Sequence, residues 1–372
     1  ILDEDLRQGA LGIAAPVAYM AKGITSYELF MGQKAGANYG RHTSVHTRYH
    51  LLSETPTEAP IAFDEMFTNA MLLDAPLLMA HNNDYGWWEI EEKLQLARAK
   101  GLNMWSEYYP YAAGSTAITA AFLSPGEWVE KRGYRYEDTI YDPIDDQYLT
   151  NETYAALMKK EPGRSVVVEF PYRKEWMNHW LAVPHMTIAS DAMAGVGEDG
   201  KLLPWDAKWS EYRGHPRTSG SRGAVFRMGR EQGIPLMFTI SQASYWAAKH
   251  LGDSGIVAMQ ERGRLQTGKV ADITIFDPKT ITDNSSFKVG EHGTPTTGIP
   301  YVVVNGQVVV KDSEVLPVKA GQPIRYAVED KSRFVPIERA GWLNKHTIGL
   351  KPELLEVHLD DDSGLGAQLN KH

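Results

Sequence analysis

The chain has 372 residues, of which 43% are hydrophobic and 23% charged, with a formal net charge of −9 and no cysteine. That length buries a large core, the mixed and mildly acidic charge excludes a basic nucleic-acid footprint, and no apolar run approaches the ~20 residues of a membrane span. Without thiols there is no disulfide or thiolate ligand, so any metal is held by histidine and carboxylate; this composition is compatible with cytoplasm or periplasm and decides neither.

The first residues, Ile1 to Ile13, read as the end of a helix feeding a strand, with no signal peptide before it. The start is therefore expected to lie inside a larger polypeptide. Apolar strand-like runs follow at Ala10–Ala15, Thr43–Thr47, Leu77–Ala80, Leu102–Ser106 and Met186–Ser190. Amphipathic helices are expected between them, at Ala62–Leu73 and at Trp87–Ala99, where Trp88, Ile90, Leu94, Leu96 and Ala97 recur among Glu, Lys and Arg. Strands whose hydrophobicity is continuous, alternating with helices, point to a parallel sheet buried on both faces. Five such units cannot close an eight-stranded barrel, so three strands are expected elsewhere. The stretch 122–184 breaks the rhythm with tyrosines, aspartates and one strand-like run, Ser165–Phe170, and is expected to be an insertion in a catalytic region spanning 1–260. Two helices are expected near Ser221–Gln232 and Thr239–Leu251. A β-rich module is expected over 261–325, where Tyr301–Val310 forms two β-branched runs about Asn305-Gly306, a strong hairpin signal. The polar tail, 326–372, is expected to lie on the surface or reach a neighbouring subunit of a homo-oligomer. Two Asn-x-Ser/Thr matches, at Asn151 and Asn284, are read as chance.

In barrels of this class the chemistry sits at the C-terminal ends of strands. His46, His81 and Asp191 each end an apolar run, so three metal-ligand types converge above one axis. A strand-end histidine alone is as often a hydrogen-bonded structural group as a ligand, and the argument rests on the three together. Asp191 serves either as ligand or as general base. His42 shares the strand face of His46 but lies four residues back, toward the barrel bottom, and His50 has entered the loop; both are read as ordinary core or surface histidines. Beyond the last strand, Arg217 in Gly214-His215-Pro216-Arg217 suits bidentate binding of a carboxylate, while His215 either stabilises an oxyanion or braces the loop. In Tyr108-Tyr109-Pro110-Tyr111 a hydroxyl suits polarisation of a carbonyl, with aromatic packing as the alternative.

These segments, in order, resemble the N-acyl-D-amino-acid deacylase branch of the amidohydrolase superfamily. The resemblance is carried by Ala10-Leu11-Gly12-Ile13 with Tyr19, Val45-His46-Thr47-Arg48, Ala80-His81, Tyr109-Pro110-Tyr111, Ser190-Asp191, His215-Pro216-Arg217 and the Gly263–Pro278 stretch, and it covers about 10–325. It implies a (β/α)8 TIM-type barrel, of which strands four to eight are here, with a small β-sandwich. It implies one or two Zn2+ or another divalent ion, with His46 and His81 as ligands on strands five and six and Asp191 as the strand-eight base or ligand. Tyr19, Tyr109 or Tyr111, and the His215–Arg217 element match substrate-binding positions. The implied reaction is hydrolysis of an N-acyl amino acid, expected of the D series. Three departures stand out: the strand-one His-x-His pair and the strand-two ligand belong to an N-terminal portion this chain lacks; Asn83 stands where the family commonly has Lys; and Glu107-Tyr108 and the 199–213 loop match no family pattern. The leading expectation is a hydrolase completed by a separate N-terminal segment of the same precursor. The alternatives are a cyclic amide hydrolase of dihydroorotase or hydantoinase type, and a truncated, non-catalytic scaffold.

Overall fold

The structure, a computed structural model, describes residues 1–20, 23–48, 58–336 and 338–348; His50 lies outside the described residues. The helix Leu2–Arg7 feeds β1 (Gly12–Pro16), followed by β2 (His42–His46), β3 (Leu77–Met79) and β4 (Met104–Tyr108). Each successive pair is parallel, which requires a crossover on one face, supplied by helices Ser26–Asn38, Glu58–Leu72 and Trp87–Ala99. Thr25 starts the first of these by accepting the Glu28 N–H at 3.1 Å, an N-cap that satisfies one otherwise orphaned donor. The third buries Ile90, Leu94 and Ala97, spaced three and four residues apart as one helical face requires. Together with Val45, Leu77, Met79 and Met104 they form the apolar core between sheet and helices.

Between β4 and the fifth strand the chain builds a separate antiparallel sheet. Its strands are β5 (Ala113–Ala117), β6 (Ile140–Asp142), β7 (Gln147–Tyr148) and β8 (Ser165–Glu169), in the order β5-β8-β6-β7. Phe122, Trp128, Tyr136, Val166 and Phe170 pack into its own core. β9 (Met186–Ile188) then returns beside β4 and completes a five-stranded parallel sheet, β1-β2-β3-β4-β9. Register places Ala15, Val45, Met79, Ser106 and Met186 in one row across it. The five strand-like runs of the sequence thus all lie in this sheet, the fourth displaced toward the C-terminus because its apolar start, Leu102, is still in the turn leaving the helix. This is the alternation of a (β/α)8-type fold.

Helix Arg217–Glu231 follows, then Leu236–Ile240, which runs through a wider turn into Trp246–Asp253. Four strands, β10 (Ile273–Ile275), β11 (Tyr301–Val304), β12 (Gln307–Lys311) and β13 (Glu314–Val315), pair antiparallel in sequence order. Asn305 and Gly306 turn the β11–β12 hairpin at φ 47° and 78°, the left-handed pair such a two-residue turn demands. A Cβ on Gly306 meets nothing within 4 Å, so Gly306→Ala isolates the backbone cost: a loss of about 1 kcal/mol is expected in chemical denaturation. The chain divides into two compact units, Ile1–Ser332 and Arg333–His372; the second contains helix Arg339–His346, where Trp342 stacks on His346. Among the described residues no helix is long and apolar enough to cross a membrane.

At the N-terminal end of β2, half-buried His42 packs beside Trp105, and desolvation lowers its imidazole to about 4. A lowered folded value means that the unfolded chain, titrating near 6.5, binds the proton first on acidification. The contribution of His42 to stability is therefore present above about pH 6.5 and is lost as pH falls toward 4. Relative to its His42→Gln variant, the protein is expected to lose ~2 kcal/mol between pH 7 and pH 5. Paired urea titrations at the two pH values check this, since the comparison cancels the other titrating groups.

Candidate active site

At the C-terminal edge of the parallel sheet a cavity of about 340 Å³ is lined by Tyr19, His46, His81, Tyr109, Arg173, Asp191 and Arg217, with an apolar wall that includes Phe122, Val168, Phe170 and Met193. The strands explain the convergence. His46 is the last residue of β2, and His81 and Asp191 follow β3 and β9 by two and three positions. The two imidazoles meet edge to face with ring centroids 4.6 Å apart. His81 and Asp191 both have positive φ, 30° and 47°. Such conformations cost of order 1–3 kcal/mol in a residue with a side chain and concentrate where function fixes them.

The turn carrying His81 is braced from below. Its N–H bonds the carboxyl of Glu107, which burial pushes up to about 7 against the opposing pull of that N–H and of Arg222. Asn82, next in the turn, donates at 2.9 Å to buried Glu91, whose carboxyl also takes the Ser106 hydroxyl and is raised by burial. Asn83 donates to the Tyr109 carbonyl at 3.0 Å and so joins the β3 and β4 ends.

Asp191 lies 2.9 Å from Arg217, whose guanidinium is buried and, among the described residues, makes no well-directed hydrogen bond with any of its three nitrogens. The same guanidinium stands 4.7 Å over the Tyr109 ring. Arg217 opens the helix Arg217–Glu231, and its backbone N–H donates to His215 Nδ1 at 2.9 Å. His215 Nε2 in turn lies 3.0 Å from the Ala113 carbonyl, which fixes the neutral, Nε2-protonated tautomer. Burial, and then the charge of Arg217, hold its imidazole well below the usual range. Both ring nitrogens are therefore committed, and His215 orients Arg217 from outside the cavity lining. Tyr111 likewise does not line the cavity; it packs edge-on against His215. Tyr19 does, with its ring 5.1 Å from His46 and its hydroxyl 3.1 Å from that of Thr116 on β5.

One lining residue had no sequence signal. Arg173, fully buried, returns from β8 with Phe170 beneath it, donates to both oxygens of Asp84 at 2.9 Å, and donates to the Tyr109 hydroxyl at 2.7 Å. Asp84 also accepts from Tyr172.

As to a metal, histidine and carboxylate are the right kinds of donor for a zinc-like ion. Their number falls short: among the described residues no three His, Asp or Glu groups are placed to share one ion. Two histidines converge, while Asp191 faces Arg217. The cavity thus brings together two imidazoles of the kind that bind such ions.

No family model matches the chain. D-aminoacylase of Alcaligenes xylosoxydans xylosoxydans is 25% identical over 318 residues, 82% of this chain and 59% of its own length. The N-acyl-D-aspartate deacylase of the same organism is 26% identical over 331 residues, 82% and 58%. The crystal structure of D-aminoacylase superposes with a TM-score of 0.66 at 21% identity, covering 87% of this chain and 64% of that one. An N-acyl-D-glutamate deacylase of Bordetella bronchiseptica, complexed with zinc and a phosphonate inhibitor, gives 0.65 at 21%, with 87% and 65% covered. A D-hydantoinase is more distant, 0.50 at 16%, with 88% and 70% covered. The chain spans about three-fifths of the length of the curated relatives it matches. In sequence it is similar to the D-aminoacylase and the N-acyl-D-aspartate deacylase, and in fold to the D-aminoacylase structure.

Proposed function

We propose that this chain carries the C-terminal catalytic part of a metal-dependent hydrolase that cleaves the amide bond of N-acyl amino acids, of the D series. The observation that supports this best is the gathering of His46, His81, Asp191, Tyr109 and Arg217 around one cavity with an apolar far wall. In this reading His46 and His81 hold a divalent ion, Zn2+, one or two in number, with further donors from outside the described residues, supplied by an N-terminal segment of the same precursor. When bound, such an ion supplies Lewis acidity and favours ionisation of water near neutral pH.

The remaining chemistry belongs to the protein's own side chains. A water oxygen adds to the amide carbonyl carbon, and its proton passes to an Asp191 carboxylate oxygen. As the C–N bond breaks, Asp191 delivers that proton to the leaving nitrogen, giving a carboxylate and a free amine. The Tyr109 hydroxyl donates to the carbonyl oxygen as charge builds there. Arg217 contacts Asp191 through Nη1, so Nε and Nη2 remain for the substrate carboxylate. The apolar wall of Phe122, Val168, Phe170 and Met193 takes the acyl chain or an apolar side chain.

The cyclic-amide alternative is the weaker one, because the likeness to hydantoinase is lower than that to the deacylases. Intact-mass and metal analysis of the protein from its natural producer tests the reading against a non-catalytic scaffold. A covalent or associated N-terminal segment with one or two zinc equivalents is expected; a lone chain without bound metal contradicts it.

A further inference from the structure

We infer that Asp84 and Arg173 are positioning residues for Tyr109, fixing its hydroxyl as a hydrogen-bond donor to the cavity, and that Arg173 is not an anion-binding site. The inference rests on the hydrolase reading for its catalytic consequence but on geometry for the contact itself. Arg173 Nη1 donates to Tyr109 Oη at 2.7 Å. A guanidinium has no acceptor, so the phenol oxygen must accept in that bond. The phenol's own hydrogen is then directed away from Arg173, and no acceptor for it is found among the described residues. Tyr109 and Arg173 both line the cavity. A phenol accepting from a cation is also a stronger donor through its own hydrogen, because the chain of hydrogen bonds polarises it.

Why Arg173 serves the tyrosine and not the substrate follows from its partners. The side chain is fully buried, and Nε and Nη2 are spent on the two oxygens of Asp84. With Nη1 on Tyr109, all three nitrogens of Arg173 are engaged by protein groups, whereas those of Arg217 make no directed hydrogen bond among the described residues. Asp84 in turn belongs to the segment that begins at His81, and its neighbour Asn83 holds the Tyr109 backbone through the carbonyl at 3.0 Å and the N–H at 3.4 Å. Tyr109 is thus tied at both main chain and side chain to the turn that presents His81.

The experiment compares wild type, Tyr109→Phe, the charge-neutral double variant Asp84→Asn/Arg173→Met, the triple variant and Arg173→Lys. If Arg173 acts through Tyr109, the double variant loses about 10²-fold in kcat, with KM little moved, and the triple variant is no slower than Tyr109→Phe. Arg173→Lys, which keeps a donor, recovers part of the loss. Losses that multiply in the triple variant overturn the inference. So does a rise in KM confined to substrates with a second carboxylate, which marks an anion site. A second measurement does not depend on turnover: in protein labelled with 13C at tyrosine Cζ, the resonance missing from Tyr109→Phe is expected to shift in the double variant. An unmoved resonance overturns the contact. If wild type hydrolyses no N-acyl amino acid, the functional reading fails while this spectroscopic arm still decides the Arg173–Tyr109 tie.

Discussion

Replacing Asp191 by Asn is expected to cut kcat about 10²–10⁴-fold, the range a positioned general acid–base contributes, with a much smaller change in KM. Asparagine keeps the shape and can still face Arg217, but it cannot take a proton from water and return it to the leaving nitrogen. The substitution also removes the anion 2.9 Å from a buried guanidinium. That costs stability, yet the Asp191 carboxylate is 39% exposed and solvent screens it. Turnover and thermal midpoint therefore separate: a large loss of kcat with a modest shift in Tm is expected. Undiminished turnover removes Asp191 as the base.

Arg173→Met and Asp84→Asn, made singly, are each expected to destabilise the protein by about 3–5 kcal/mol, the cost of leaving one member of a buried ion pair alone. Arg173 is fully buried and Asp84 nearly so, and the two are bonded through both carboxylate oxygens. In Arg173→Met the carboxylate keeps Tyr172 as a donor but loses the Arg173 cation; in Asp84→Asn the guanidinium keeps Tyr109 and the Phe170 ring. The double variant leaves no stranded charge, so its loss is expected to fall well short of the sum. Chemical denaturation of all four proteins checks this, and strict additivity contradicts a direct pair.

The barrel strands were legible because parallel strands buried on both faces read as unbroken apolar runs, and the residue closing each run is where a side chain enters the active-site end. That logic placed His46, His81 and Asp191 together, and the cavity does contain all three. It reached too far with Tyr111 and His215, since proximity in sequence to a strand end does not say which way a side chain turns after Pro110, or that a histidine's nitrogens are already taken by Ala113 and Arg217. The inserted sheet was harder to see. β5 reads Ala-Gly-Ser-Thr-Ala, with little of the β-branched or aromatic character of a strand, and it forms because β8 supplies Val166, Val167 and Val168 opposite it. Arg173 was invisible for a related reason: it meets Asp84 across 89 residues of sequence, and only the path of the insertion back into the cavity brings them together. The positive φ values of His81 and Asp191 have no sequence signature either, because nothing but the tertiary frame holds them there.

The most direct test of the central claim is release of free amine from N-acetyl amino acids of both hands. It is made with the protein purified from its natural producer, with whatever segment and ion it carries, beside its His81→Ala variant. Hydrolysis of the D enantiomers by wild type, lost in His81→Ala, is the predicted result. No amine from either hand, or release undiminished in His81→Ala, contradicts the account.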